Sequence, residues 1–160
     1  MRAGFNPVAH VEMDTAACYT LKTRLAYKWL LDNDKDNIYD SYLSGEITRD
    51  EFYENIPESL LDTILNYEIT WDNIEEIFHE IDNNLHGNKI DLIVGGPPCQ
   101  AYSLIGRARD ENGMLGDKRN YLYILYAEFL KRYKPKYFVF ENVTGLLSAK
   151  DTDKQLHFTK

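Results

Sequence analysis

The order of apolar and polar positions along the chain predicts strands that alternate with helices. Residues 7–14, PVAHVEMD, show the short apolar alternation of a strand, and Asp14 can then cap a helix over 15–31. Cys18 falls inside that amphipathic helix, where a cysteine is expected to behave as a small buried hydrophobe. The apolar stripe of the helix consists of Ala17, Leu21 and Leu25.

The middle of the chain is polar and carries the signals of turns and short helices. Residues 32–50 contain the turn-forming stretches DNDKDN and SGE, and residues 48–66 have a helical pattern that is interrupted at Pro57. Seventeen acidic and three basic residues lie in 32–91, so this part is strongly negative. We interpret about residues 32–66 as an acidic helical insert.

After the insert, one short segment and two longer apolar runs have the sequence patterns of strands. YEIT at 67–70 predicts a short strand, and 72–85 predicts a helix that stops near Gly87. KIDLIVGG at 89–96 and KYFVFEN at 136–142 are nearly continuous apolar runs, which are typical of strands buried on both faces of a parallel sheet. The helical spacing is carried by Ile74, Ile77, Phe78 and Ile81.

A helix over 118–134 separates the last two strands. Strands and helices in this order predict an α/β fold with a doubly wound parallel sheet. The inward positions of this helix are Leu122, Leu125, Tyr126 and Phe129.

Composition narrows the class of protein. The chain has 160 residues, 44% of them hydrophobic, which suits one domain with a core, and no apolar run approaches the roughly 20 residues of a membrane span. Cys18 and Cys99 lie far apart, as in proteins of a reducing compartment, and the four histidines lack the spacing of metal ligands. We expect a cytoplasmic protein with no metal.

The net charge of −8 opposes DNA binding, but residues 104–136 hold eight bases and four acids.

The chemically interesting residues fall at predicted strand ends. Glu12 ends the first strand, Glu68 lies in the second, GGPPC at 95–99 leaves the third and Glu141 ends the fourth. Ligands of such sheets bind beyond the carboxyl ends of the strands, so we expect three carboxylates and a thiol at one edge. A Cys99 thiolate with a partly desolvated, protonated Glu141 suits conjugate addition to an electron-poor ring.

GGPPCQAYS at 95–103, followed by ENV at 141–143, resembles the signature motifs of the DNA cytosine-5 methyltransferase family. GDKRNYLY at 116–123 is similar to the family's D-x-R-x-x-L segment. The resemblance implies an incomplete Rossmann-like fold that binds S-adenosylmethionine, with residues 1–160 as part of the catalytic domain. The implied reaction is methyl transfer to C5 of a cytosine flipped out of double-stranded DNA, in the bacterial cytoplasm or nucleoid.

The resemblance also implies roles for individual residues. Cys99 would add to C6 of cytosine, and Glu141 would contact N3 and the exocyclic amine. Glu12 would accept hydrogen bonds from the ribose hydroxyls of the cofactor. The remaining cofactor contacts would be Met13, Glu68, Ile69, Pro98 and Leu122. The remaining contacts to the substrate and its loop would be Pro97, Ser103, Arg119 and Asn142.

Several positions depart from the family pattern. The family usually has Asp where Glu68 stands and an aromatic residue where Met13 stands. Its aromatic-x-Gly-x-Gly loop and its Q-x-R-x-R segment are absent from these 160 residues. We therefore expect the isolated chain to be inactive, with exposed apolar edges that favour self-association.

Three alternatives stay open at this point. A methyltransferase acting on amino groups shares the sheet, but it would place an aromatic residue after the Pro-Pro turn. A tRNA cytosine-5 methyltransferase carries the same core motifs. A non-catalytic module would keep the fold and bind a partner through the acidic segment 32–91.

Overall fold

The computed structural model describes residues 4–96 and 122–141. The chain divides into two compact units, residues 1–88 and 89–160. No helix within the described residues is long and apolar enough to cross a membrane. The prediction that residues 1–160 form one partial catalytic domain stays a prediction.

The first unit is built on a parallel pair of short strands. Strand β1 (His10–Glu12) pairs with β2 (Ile64–Asn66), with Glu12 opposite Asn66. Helix α1 (Thr15–Asp32) begins at the predicted cap, because the Asp14 carboxylate accepts a hydrogen bond of 2.8 Å from the Ala17 amide. The stripe predicted for α1 is only half-buried, and the fully packed positions of this helix are instead Cys18, Ala26 and Leu30.

Three short helices follow α1 and carry a small core of their own. They are α2 (Asp36–Ser44), α3 (Arg49–Glu54) and α4 (Glu58–Leu61). Buried side chains of α1 pack against buried residues of this segment: Ala26, Leu30, Phe52 and Ile56. Acidic residues therefore stay on the surface while apolar and aromatic side chains hold the helices to α1.

One boundary predicted for this segment is wrong. Turns occur on either side of α2 as predicted, with Gly45 in the left-handed region at φ 78°, and the helix between them agrees with the helical character expected of this segment. The helical pattern predicted over 48–66 is interrupted at Pro57 as expected: α3, which Thr48 caps in a reciprocal capping box with Glu51, ends before Pro57, and α4 follows it. The end of that range is strand β2 rather than helix.

The strand predicted at YEIT is also wrong, and with it the placement of Glu68 in a strand. The strand of this region is β2, which ends at Asn66, so Glu68 follows it in a loop. Ile64 and Leu65 are buried, whereas Glu68 is exposed, and this difference in burial decides which residues pair with β1.

Helix α5 (Ile74–Leu85) confirms the periodicity in the sequence. All four predicted apolar positions are buried, and the helix ends before Gly87, which has φ 81°. His86 and Gly87 both take left-handed conformations at the helix end, as a C-terminal stop requires.

The second unit contains a second parallel pair. Strand β3 (Leu92–Gly95) and strand β4 (Tyr137–Phe140) are joined in register, and α6 (Leu122–Tyr133) lies between them in the chain. The predicted inward positions Leu125 and Phe129 of α6 are buried, and Leu122 and Tyr126 are half-buried.

The prediction that both strands of this pair are buried on two faces is wrong. Val94 and Val139 are opposite each other in the register, and their exposed fractions are 63% and 50%. The other face carries Gly95 and Phe140, which lie against the Tyr126 ring of α6. Among the described residues, α6 covers one of these two faces. The other face is exposed, although the sequences of both strands are apolar.

The fold is therefore a mixed α/β arrangement, as the alternation of elements predicted. In the described ranges the strands form two separate parallel pairs, β1 with β2 and β3 with β4, rather than one continuous sheet. Each pair is a strand–helix–strand crossover, the unit from which doubly wound sheets are built. The Rossmann-like arrangement of the whole sheet stays a prediction.

His10 in β1 makes the stability of the first unit depend on pH. Burial, and then the positive charge of Arg24, lower the pKa of the His10 imidazole below its ordinary value of 6.5. The unfolded chain therefore binds more protons than the folded chain once the pH falls through about 6.5. The free energy of unfolding should decrease over this interval and level off below the folded pKa.

Urea unfolding of the chain at several pH values between about 8 and about 5 tests this expectation. His10→Gln should flatten the pH dependence below about 6.5, because glutamine does not titrate. An unchanged slope in the variant would show that the imidazole is not the group responsible.

Candidate functional site

The residues predicted to form the site are distributed over both units and beyond the described ranges. Those in the first unit are Glu12, Met13, Glu68 and Ile69, and those in the second unit are Leu122 and Glu141. Outside the described residues lie Pro97, Pro98, Cys99, Ser103, Arg119 and Asn142. The predicted convergence of Glu12, Glu68 and Glu141 on one edge spans the two units and stays a prediction.

The carboxyl end of β1 presents a carboxylate and an apolar side chain. Glu12 is half-buried, and its Oε1 accepts a hydrogen bond of 2.9 Å from the Asp14 amide. Within the part of the chain that the structure describes, no donor reaches Oε2 of this carboxylate. Met13, the next residue, is largely exposed. This end of the strand can therefore offer one carboxylate oxygen and an apolar surface to a ligand.

Asn66 at the end of β2 ties the two strand ends together. Its Nδ2 donates to the carbonyl oxygens of Glu12 at 2.9 Å and Met13 at 3.1 Å. Its Oδ1 accepts from the Thr15 hydroxyl at 3.0 Å, and the neighbouring Tyr67 amide donates to the Glu12 carbonyl at 3.1 Å. The three hydrogen bonds of the Asn66 side chain thus fix the loop between β1 and α1.

The loop after β2 is closed by a second asparagine. The Asn73 Oδ1 accepts from both the amide and the hydroxyl of Thr70 at 2.9 Å, and its Nδ2 donates to the Glu68 carbonyl at 2.8 Å. These bonds replace strand pairing over 68–70 and hold the exposed Glu68 and the half-buried Ile69 in a defined turn.

Sequence reasoning did not find Asn66 or Asn73. Asn66 fell inside a predicted helix, and the hydrogen bonds it makes join residues more than fifty positions apart in the chain. No local pattern signals such a role. Asn73 could have been suspected as a turn residue, because it precedes the apolar positions of α5 at the place of a cap.

Replacing Asn66 by alanine should loosen both strand ends. The variant loses two donors and one acceptor, and we expect the free energy of unfolding to fall by about 1 kcal/mol, because water can partly replace these exposed bonds. Asn55→Ala is the matched control, since Asn55 is also exposed but makes one local bond to the Glu51 carbonyl. Urea unfolding compares the two, and equal effects would contradict a bridging role.

Cys18 confirms its interpretation as a buried hydrophobe. Its Sγ lies 3.4 Å from the Glu12 carbonyl oxygen beneath the end of β1, and the side chain is 4% exposed. Burial, and next the negative charge of Glu12, raise the pKa of this thiol. A buried thiol with a raised pKa is a poor nucleophile, so Cys18 is not suited to that role.

In the second unit, the backbone of Gly96 approaches Glu141 closely. The Glu141 amide donates to the Gly95 carbonyl at 3.0 Å and extends the pairing of β3 with β4 by one residue. A Cβ atom at Gly96 would lie 2.8 Å from the carbonyl carbon of Glu141 and would overlap its carbonyl oxygen. The chain therefore leaves β3 beside Glu141, whose side chain is exposed rather than partly buried as predicted.

Tyr126 of α6 supports this pair of strand ends from one face. Its ring lies 5.2 Å from the Phe140 ring between centroids, in an edge-on arrangement, and its hydroxyl donates to the Val139 carbonyl at 3.1 Å. Burial raises the pKa of this hydroxyl, which keeps it a donor. Leu122 begins the same helix and is half-buried.

The described residues give no indication of a metal centre. Within 4–96 and 122–141, no group of three or more His, Cys, Asp or Glu side chains is arranged to hold an ion.

Comparison with known protein families assigns the class. The family model of C-5 cytosine-specific DNA methylases matches residues 58–160. This range includes both motifs on which the resemblance was based, and it covers more than half of the chain. The chain belongs to the C-5 cytosine-specific DNA methylase family.

Individual relatives agree with this assignment. The type II methyltransferase M.Bpa9945I of Bacillus paralicheniformis is 38% identical over 166 residues, which cover 91% of this chain and 37% of that protein. The DNA (cytosine-5-)-methyltransferase M.ApeKI of Aeropyrum pernix is 47% identical over 66 residues, or 41% of this chain and 14% of that protein. The chain thus spans little more than a third of the first relative and less of the second. No solved structure matches the chain.

Proposed function

We propose that this chain supplies the nucleophile and part of the cofactor site of an enzyme that methylates C5 of cytosine in DNA. The observation that carries the proposal is the junction of β3 and β4. The segment with Cys99 leaves β3 at the point where Gly96 meets the backbone of Glu141. Gly96 and Glu141, which are distant in the sequence and belong to the two signature motifs, are thereby neighbours at the ends of β3 and β4, and Cys99 follows Gly96 by three residues in the sequence.

The first unit has residues that fit S-adenosylmethionine. Glu12 offers a carboxylate oxygen suited to ribose hydroxyls, and the exposed Met13 offers an apolar surface suited to adenine. Glu68 and Ile69 are held in a turn that follows the neighbouring strand. Pro98 and Leu122 would complete the cofactor contacts. When bound, S-adenosylmethionine supplies an electrophilic methyl group.

The residues of this chain would act on the cytosine ring. The Cys99 thiolate would form a bond to C6 while Glu141 holds a proton at N3, so that C5 becomes nucleophilic. After methylation at C5, loss of the C5 proton and breakage of the sulfur–C6 bond restore the aromatic ring and the thiolate. A water molecule would accept the C5 proton, the C5–H electron pair would form the C5–C6 double bond, the electron pair of the sulfur–C6 bond would return to sulfur, and the proton held at N3 would return to Glu141.

Further residues would hold the base in place. The carbonyl of Pro97 would accept from the exocyclic amine, and Asn142 would fix the loop with Cys99. Ser103 and Arg119 would contact the flipped nucleotide, and Arg119 belongs to a basic stretch that suits phosphate contacts. Flipping is required because C5 and C6 cannot be reached by a thiolate within stacked base pairs.

Two measurements test the proposal. Calorimetry with the 160-residue chain determines whether it binds S-adenosylmethionine. Transfer of labelled methyl groups is then measured with a chimera in which this chain replaces the matching segment of the Bacillus paralicheniformis relative. We expect label at C5 of cytosine in DNA and none in tRNA. Label in tRNA alone would favour the RNA enzyme, and a folded chimera without transfer would contradict the proposal.

A further inference from the structure

A surface cleft between α1 and the helical insert has no part in the proposed methyl transfer. It is open to solvent, has a volume of about 330 Å³ and lies between α1, α2 and the start of α3. This insert cleft is lined chiefly by Tyr19, Thr20, Arg24, Tyr39, Tyr42 and Arg49. Its size is at the lower end of the range for sites that hold small molecules.

The charge of the insert cleft contrasts with that of its surroundings. Only three basic residues occur in 32–91, against seventeen acidic ones, and Arg49 is one of the three. The salt bridges found among the described residues use lysines, and neither Arg24 nor Arg49 forms one. Within the described residues neither arginine has a carboxylate partner, and Arg49 lies in the carboxylate-rich segment 32–91, so the cleft is able to bind an anion.

The aromatic wall of the cleft is already packed into place. The Tyr42 ring stacks on Phe52 with centroids 4.6 Å apart and planes 12° apart, and the Tyr39 ring lies 4.4 Å from that of Tyr27. Phe52 is fully buried, so it anchors Tyr42 to the core of the insert. Little side-chain entropy remains to be lost when a ligand arrives.

The cationic side of the cleft is held equally firmly. The Arg49 guanidinium lies 3.6 Å from the centroid of the Tyr19 ring. The Tyr53 hydroxyl donates to the Tyr19 carbonyl at 3.2 Å and shares a hydrogen bond of 3.1 Å with the Thr23 hydroxyl. These bonds join α3 to α1 and so fix the distance between the helices that carry Arg49 and Arg24.

We propose that the insert cleft binds the phosphate group of a nucleotide. Guanidinium groups match phosphate oxygens in geometry, threonine and tyrosine hydroxyls can add hydrogen bonds, and tyrosine rings can pack against a base or sugar. The acidic surface around the cleft repels a long polyanion, so a single nucleotide unit suits it, whether free or at one position of a nucleic-acid strand. This proposal is independent of the methyl-transfer reaction.

Nuclear magnetic resonance of the 160-residue chain tests the proposal. The ligands are adenosine monophosphate, adenosine, inorganic phosphate and a short single-stranded oligodeoxynucleotide. We expect saturable shifts of the Arg24 and Arg49 side chains with adenosine monophosphate, and none with adenosine. Saturation by the oligonucleotide alone would support the proposal with a nucleic-acid strand as the source of the phosphate.

Two variants and one matched control separate the site from general charge. Arg24→Gln should weaken binding by about tenfold, because it removes a charged donor to the phosphate oxygens. Arg24 makes no hydrogen bond or ion pair with the other described residues, so this variant should fold normally. Arg49→Lys keeps the charge but loses the planar guanidinium, and it should also weaken binding.

Lys28→Gln removes a cation from α1 outside the cleft, where Lys28 pairs with Asp32. It should leave binding unchanged. Equal weakening by Lys28→Gln and Arg24→Gln, equal affinity for adenosine and its monophosphate, or no saturable shift with any phosphate ligand would each overturn the proposal.

Discussion

Replacing Cys99 by serine is expected to abolish methyl transfer by the chimera described above. A serine hydroxyl is not ionised near neutral pH, so the loss should be at least on the order of 10³-fold, as for other enzymes deprived of their nucleophile. The measurement is the initial rate of methyl transfer to DNA, with circular dichroism to establish that the variant folds. Cys18→Ser is the matched control, since the Cys18 thiol is buried beneath β1 and should not affect the chemical step.

DNA containing 5-fluorocytosine tests the same nucleophile by trapping its covalent bond to the base. Fluorine at C5 prevents release of the ring, so the wild-type chimera should form a stable adduct through Cys99 and the serine variant should form none. An adduct in the Cys99→Ser chimera, or none with the wild type, would count against this nucleophile. If the chain is instead a non-catalytic module, Cys99→Ser should leave binding of its partner unchanged.

Elements with a long apolar repeat were predictable from the sequence. Helix α5 carries four buried positions at helical spacing, and α1 has a cap that acts within three residues of Asp14. In both cases the determining interactions are local, so the pattern along the chain contains the information. The strands β3 and β4 were predictable as separate elements because both are apolar runs, and the helix between them favours parallel pairing.

Features that depend on distant partners were not predictable. Strand β2 was misplaced by a few residues, since ILN and YEIT are both acceptable strands locally and only pairing with β1 selects the first. The bridging role of Asn66 depends on the backbone of Glu12 and Met13, more than fifty residues away. The burial of β3 and β4 was overestimated because apolar content does not reveal how many faces are covered.

For the candidate site, the sequence indicated the family and the motif residues but not the local geometry. The signature motifs led to the family, which the match over 58–160 shows. They also named Cys99 and Glu141, yet gave no reason for the glycine pair before the prolines. The structure supplies that reason for Gly96, whose missing side chain lets the backbone pass the Glu141 carbonyl.

Replacing Gly96 by alanine is therefore expected to be far more harmful than the size of one methyl group suggests. The added Cβ meets backbone rather than a side chain, so either strand end must move. Movement would break the bond between the Glu141 amide and the Gly95 carbonyl, and we expect a loss of about 1–3 kcal/mol in the free energy of unfolding. In the chimera, displacement of Glu141 by about 1 Å should lower methyl transfer by about 100-fold.

Gly95→Ala is the matched control, one residue earlier on the same strand. Its Cβ would lie 3.4 Å from an edge carbon of the Tyr126 ring, which is an ordinary contact with a side chain. We expect this variant to unfold within about 0.5 kcal/mol of the wild type and to keep most of its activity, because small changes without a clash have small effects. Similar losses of stability and of methyl transfer in the two variants would contradict a specific role for the approach of Gly96 to Glu141. They would mean that any added volume at this end of β3 is harmful.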